Sequence, residues 1–183
     1  GGSAGAHALN VLIEESLERL LSSYTIIHQT GDAKKFTDFE RLQEKKKTLP
    51  KALQDRYTIM KFADPLLVPT YMSEADLIIS RSGINTVTEL LFVGNPCLLI
   101  PLPYGQHNEQ RENAEFIQEI GLGEVADQLT LTGNTFCTAI ERIVHNKEKY
   151  QRHGQKARQL IDVHAAEIII QVVAHVQEEK KST

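Results

Sequence analysis

The sequence is short of most features that would place it quickly. Cysteine occurs twice, at Cys97 in an apolar run and Cys137 in a helical pattern, so a disulfide framework is excluded and buried thiols are expected. Basic charge is not in surplus. Twenty Lys and Arg against twenty-four Asp and Glu give a formal net charge of −4, which argues against a nucleic-acid partner. No run reaches the roughly 18 apolar residues of a membrane span, and no secretory leader pattern is visible, so a cytoplasmic location is expected. No His, Cys, Asp and Glu cluster has metal-ligand spacing. Nucleophile–base arrangements of the Ser-His-Asp or Cys-His kind, internal repeats and low-complexity linkers are missing too. Neither a metal nor another cofactor is expected.

What remains is an ordinary globular composition, 41% apolar and 24% charged over 183 residues, enough for one domain or one half of a two-domain enzyme. The stretch from Ser80 to Ala114 organises it. Leu77-Ile78-Ile79 reads as a strand entering the turn Ser80-Arg81-Ser82-Gly83. A helix with Val87, Leu90 and Leu91 on one face follows and stops at Gly94-Asn95-Pro96. Cys97 to Pro101 is a second apolar strand, Tyr104 to Asn108 a polar loop, and Gln110, Asn113 and Ala114 lie on the next helix. In a parallel sheet both loops emerge at the carboxyl edge, where open α/β sheets bind ligands.

The rest of the chain repeats this alternation. Gly1 to Ala6 is a glycine-rich loop feeding a helix from about Ala8, with Leu9, Leu12, Ile13, Leu17, Leu20 and Leu21 as its apolar face. Such loops normally follow a strand, so the chain reads as a fragment cut at a strand's end, with that strand and a further domain expected upstream. Tyr24 to His28 is a strand, 33–47 a polar helix ending in Lys45-Lys46-Lys47, and Tyr57 to Phe62 a strand. The lysine run is shorter than the 4–8 basic residues of a lipid-binding patch and reads as a solvated helix end. A short helix covers 66–74. After Gly121-Leu122-Gly123 comes a weak edge strand, 124–126, and helices are expected over 133–145, 147–161 and 164–179. The class is a doubly wound α/β domain spanning 1–183.

Several residues carry chemical possibilities with structural alternatives beside them. The Gly1–Ala6 loop, with Gly2 and a hydroxyl at Ser3, suits a diphosphate at a helix start, or is simply a tight turn. Glu89 could accept two hydrogen bonds from a vicinal diol. It equally fits a capping box, Thr86-Val87-Thr88-Glu89, bonded back to its own helix start. Arg81, beside Ser82 and Gly83, suits an anionic ligand or a structural ion pair. Gln110 and Asn113 lie three apart on one helical face, where amides suit sugar hydroxyls. His28 is read as structural.

The pieces GGSAGA, IIHQTG, ADLIISRSG, TVTELLFVGNPCLLIPLP and NEQRENA occur in the order found in the MurG-type N-acetylglucosaminyltransferases, and the chain resembles their carboxyl-terminal, donor-binding half. The resemblance implies a Rossmann-like half of a two-domain GT-B enzyme that binds UDP-N-acetylglucosamine, with an amino-terminal domain holding a lipid-linked acceptor and the full-length enzyme peripheral at the inner face of the membrane. It implies the conversion of lipid I to lipid II in peptidoglycan synthesis. It places the diphosphate near Gly2 and Ser3, the uracil at the backbone of Phe62-Ala63, the ribose at Glu89, and the N-acetylglucosamine at Gln110 and Asn113. Arg81, in the turn with Ser82 and Gly83, suits a place near the uracil or the phosphates, and Gly83 a close backbone approach. Two departures stand out: Glu109 replaces a neutral side chain, and Ala63 replaces an isoleucine. A non-catalytic donor-binding subunit of a split transferase and a UDP-N-acetylglucosamine 2-epimerase half are the alternatives. No catalytic residue is assigned to this chain.

Overall fold

A computed structural model describes residues 5–33, 35–104 and 108–161. Gly2, Ser3 and the helix expected over 164–179 lie outside these residues. The chain runs α1 (His7–Ser23), β1 (Ile26–Gln29), α2 (Asp38–Thr48), α3 (Lys51–Gln54), β2 (Tyr57–Met60), α4 (Val68–Glu74), β3 (Ile78–Ser80), α5 (Ile84–Val93), β4 (Cys97–Leu99), α6 (Glu109–Glu119), β5 (Gly123–Val125), α7 (Gly133–His145) and α8 (Lys147–Ala157), closed by a 3-10 turn over Arg158–Leu160. Every strand pairing is parallel. β1 pairs with β2 in one ladder, and β3, β4 and β5 form a second in that order.

Helices cover both faces, as parallel strands require. β4 shows this most clearly because its side chains alternate between two cores. Leu98, with Ile100 just beyond the strand, joins the apolar stripe of α1 and the buried face of α7, including Leu17, Leu21, Phe136 and Ile143. Cys97 and Leu99 point the other way, onto Val87, Leu90 and Leu91 of α5 and Ala114 and Ile117 of α6. Burial drives the Cys97 thiol up to about 12, and both cysteines are free and buried. The first core also takes in Ile26 and Ile59 from one ladder and Leu77 and Ile79 from the other. α1 therefore lies beneath both ladders and ties them into one layer.

Boundaries differ from the sequence reading for local reasons. α2 starts at Asp38 rather than near Ala33, because Ala33 to Phe36 closes a turn of its own and Thr37 is left-handed, φ 48°. The short helix α3 was not expected from sequence. α5 starts at Ile84 and ends where Gly94 turns left-handed, φ 70°, its N–H donating to Leu90. A side chain at Gly94 would also strike the backbone of Gly154 at 2.8 Å, and one at Gly154 would meet the Gly94 carbonyl at 1.8 Å. α5 and α8 therefore cross backbone to backbone.

Candidate functional site

The exits of β2 and β3 carry Phe62, Ala63, Arg81, Ser82 and Gly83, and the helices that follow β3 and β4 carry Glu89 on α5 and Gln110 and Asn113 on α6. The exit of β3 and the start of α6 form one tightly bonded corner. Ser82 is fully buried; its hydroxyl donates to the Gln110 carbonyl at 2.6 Å and its own carbonyl accepts from Asn113 Nδ2 at 3.1 Å. The Gln110 side-chain oxygen accepts the Leu102 N–H at 3.1 Å. These partners fix which end of each amide is which. Gln110 keeps its NH2 donors and Asn113 its Oδ1 acceptor, neither bonded among the described residues. Among the described residues, each amide is anchored at one end and free at the other.

Arg81 is engaged with the fold. Nη1 donates to the Ile100 and Pro101 carbonyls at 2.8 and 3.1 Å, and Nη2 to Gln128 Oε1. Burial lowers the pKa of this guanidinium, and its Nε is buried without a partner among the described residues. Arg81 thus braces the exits of β3 and β4 against the loop after β5. Gly83 caps α5 with no side-chain bond to the first turn, and a Cβ built on it would meet nothing within 4 Å. The helix start is open to an approaching group, and no side chain among the described residues caps its first N–H donors.

Glu89 sits in the second turn of α5, exposed, its carboxylate without a hydrogen bond or ion pair among the described residues. The capping-box alternative fails on position: the helix begins two residues before Thr86, so Thr86 is not its cap. Phe62 and Ala63 lie past the end of β2, Phe62 half exposed. The Ala63 N–H donates to Gln29 Oε1 at 2.9 Å, so Gln29, at the end of β1, sets the course of the β2 exit. In the sheet, β1 and β2 carry this pair and β3 and β4 carry the Ser82–Gln110–Asn113 corner.

His28 has the structural role expected of it. Nε2 lies 3.0 Å from Asn10 Oδ1 and Nδ1 2.8 Å from the Tyr57 hydroxyl. Asn10 Nδ2 donates to the Thr30 carbonyl and to Asp38 Oδ2, so its oxygen faces His28 and the Nε2–H tautomer follows. Tyr57 then donates to Nδ1. Desolvation drives the imidazole down to about 4 and raises the Tyr57 phenol. Asp38 also binds His7 at 2.8 Å and Arg41 at 3.0 Å. Sequence reasoning missed Asn10, Asp38 and Gln128. A signal existed for Asn10 alone: it interrupts the apolar stripe of α1, and a buried amide needs partners.

No His, Cys, Asp and Glu group among the described residues is arranged to hold a metal ion, and no helix among them is long and apolar enough to cross a membrane.

Residues 1–178 match the glycosyltransferase family 28 C-terminal domain. The UDP-N-acetylglucosamine–N-acetylmuramyl-(pentapeptide) pyrophosphoryl-undecaprenol N-acetylglucosamine transferase of Trichlorobacter lovleyi is 32% identical over 93% of the chain and 43% of its own length. The transferase of the same name from Geobacter sulfurreducens is 31% identical over 98% of the chain and 48% of its own length. Among solved structures, MurG of Acinetobacter baumannii superposes with a TM-score of 0.76 at 29% identity, over 96% of this chain and 48% of that one. The glycosyltransferase VinC, in complex with dTDP, gives 0.53 at 20% identity over 66% of this chain and 27% of its own, a likeness of fold alone. The chain spans about half the length of the curated relatives it matches.

Proposed function

Because this chain belongs to the glycosyltransferase family 28 C-terminal domains, a Rossmann-like half of the GT-B fold, we propose that it is the donor-binding half of an inverting glycosyltransferase. UDP-N-acetylglucosamine lies across the carboxyl edge of the sheet. The Glu89 carboxylate accepts from the two ribose hydroxyls, the open turn at Gly83 and the backbone at Phe62-Ala63 face the nucleotide, and the free ends of Gln110 and Asn113 take the sugar hydroxyls. Gly2 and Ser3 flank the diphosphate at the start of α1. The observation that carries this reading is Glu89: an exposed carboxylate with no partner among the described residues, in the second turn of a helix whose start bears no side-chain cap, with the capping role ruled out by the position of that start. Arg81 and Ser82 act on the ligand through the loops they hold.

In the reaction, an acceptor hydroxyl attacks C1 of the sugar from the face opposite the diphosphate. The C1–O bond to phosphorus breaks, UDP leaves with the bonding pair, and the acceptor's proton goes to a base. Acceptor and base belong to an amino-terminal domain. The relatives are named for transfer to a pyrophosphoryl-undecaprenol acceptor, which supports a lipid diphosphate as acceptor here and the step from lipid I to lipid II at the inner face of the membrane. Helix ends and loops, rather than a metal, neutralise the departing diphosphate.

The test is transfer of labelled N-acetylglucosamine to a lipid-linked acceptor. The full-length enzyme transfers label and residues 1–183 alone do not, since the rate depends on holding both substrates in line. Transfer by 1–183 alone would overturn the assignment of the acceptor site. Conversion of the donor by full-length enzyme without an acceptor to a product inverted at C2 would replace the transferase with the epimerase reading.

A further inference from the structure

The first turn of α6 carries charge that the donor reading leaves unused. Glu109 and Glu112 are exposed there, and neither carboxylate has an ion pair or hydrogen bond among the described residues. The cations nearby are engaged elsewhere. Arg111 pairs with Glu115 at 2.8 Å, and Arg81 donates to the Ile100 and Pro101 carbonyls and to Gln128. Among the described residues, the negative charge at this turn is uncompensated.

A carboxylate in a first turn ordinarily complements the helix dipole, and Glu112 needs no other account. Glu109 differs by position. It lies one residue before Gln110 and four before Asn113, so it adjoins Asn113 on the helix surface. Glu112 lies farther round, in line with Phe116 and Glu119 on the exposed side. Gln110 and Asn113 are tied to the Leu102 N–H and the Ser82 carbonyl, which leaves NH2 donors on the first and an acceptor on the second. Glu109 adds two oxygens that only accept. The corner therefore offers donors from one residue and acceptors from two, with a full negative charge at its margin.

Charge decides what such a corner accepts. A sugar hydroxyl donates to the carboxylate, whereas a sugar carboxylate meets like charge with no free cation beside it. Two like charges about 6 Å apart in a partly solvated site cost on the order of tenfold in affinity. A neutral amide at the same place exerts no such repulsion. We infer that Glu109 sets the sugar class of this site: it accepts from the hydroxyls of a neutral hexose and excludes hexoses that carry a carboxylate. Glu109 touches the sugar and takes no part in breaking the C1–O bond. The inference rests on the donor reading and sharpens it, since the relatives' names give a sugar but no residue that rejects an acidic one.

Competition titrations of the full-length protein with UDP, UDP-glucose and UDP-glucuronic acid test it, because the two sugar nucleotides differ only in a hydroxymethyl against a carboxylate at C5. The wild-type protein binds UDP-glucose on the order of tenfold more tightly than UDP-glucuronic acid. In Glu109→Gln that preference is largely lost, as the acidic ligand gains affinity and UDP alone keeps its own. Glu109→Lys shifts the ratio further the same way, and Glu112→Gln keeps the wild-type ratio. A merely structural role would weaken all three ligands together and leave the ratio unmoved. An unmoved ratio in Glu109→Gln, or an equal shift in Glu112→Gln, overturns the inference. Wild-type protein that binds UDP without discriminating between the two sugars also overturns it, and leaves the donor site standing. Failure of the wild-type protein to bind UDP at all refutes the donor reading, and this inference with it.

Discussion

Glu89 and Ser82 stand at opposite ends of what a side chain near this sheet edge can be. Ser82 is buried and bonded through both its hydroxyl and its carbonyl; Glu89 is exposed and bonded to nothing described. A buried group whose bonds are complete shapes the loop, and an exposed one is left for a ligand. Glu89→Gln removes the charge while keeping the shape, so UDP affinity should fall by about 1.5–3 kcal/mol, the worth of a hydrogen bond to a charged group. Stability should be unchanged, because Glu89 caps nothing. Calorimetric titration of the folded variant measures the first and urea unfolding the second; unchanged affinity removes Glu89 from the ribose. His28 makes a prediction about pH instead. Its folded pKa lies near 4, below the ordinary value near 6.5, so the unfolded chain binds the extra proton first. The neutral imidazole's contribution is fully present above about pH 6.5 and is lost as pH falls toward 4, a change on the order of 3 kcal/mol. Urea midpoints at pH 7 and pH 4.5 should differ accordingly, and the His28→Gln variant should lose most of that difference.

At the scale of elements, the strands and most helices were legible because parallel strands buried on two faces leave short apolar runs, and the helices between them keep a 3.6-residue stripe. Boundaries were less legible where a turn interrupts, as at Ala33 to Phe36. The role of Arg81 was hidden for another reason: its partners are carbonyls 19 and 20 residues away and a side chain 47 away, and no local pattern carries that information. Gln110 and Asn113 could be placed on one face from spacing, but not the fact that each has one end tied to the β3 and β4 loops. The crossing of α5 and α8 was equally invisible. It predicts that Gly154→Ala, ordinarily a helix-favouring change, is destabilising here by about 1–3 kcal/mol, because the new methyl meets the Gly94 carbonyl. Thermal unfolding checks the sign; a stabilised variant would show that the two helices can part at little cost.

At the scale of the molecule, the parallel sheet gathers the β1–β2 and β3–β4 exits on one rim, and each rim loop is fixed by the fold before any ligand arrives: Gln29 holds Ala63, Arg81 holds Ile100 and Pro101, and Asn113 holds Ser82. Such a rim suits a nucleotide-sugar, because these loops need little ordering on binding. The most direct measurement is a titration of the folded protein with UDP-N-acetylglucosamine in the presence of EDTA, paired with thermal unfolding. One saturable site, competed by UDP and raising stability by about 2.7 kcal/mol at 100 times the dissociation constant, is the expected result. No binding, or binding only when a divalent metal is restored, would contradict the donor-site assignment.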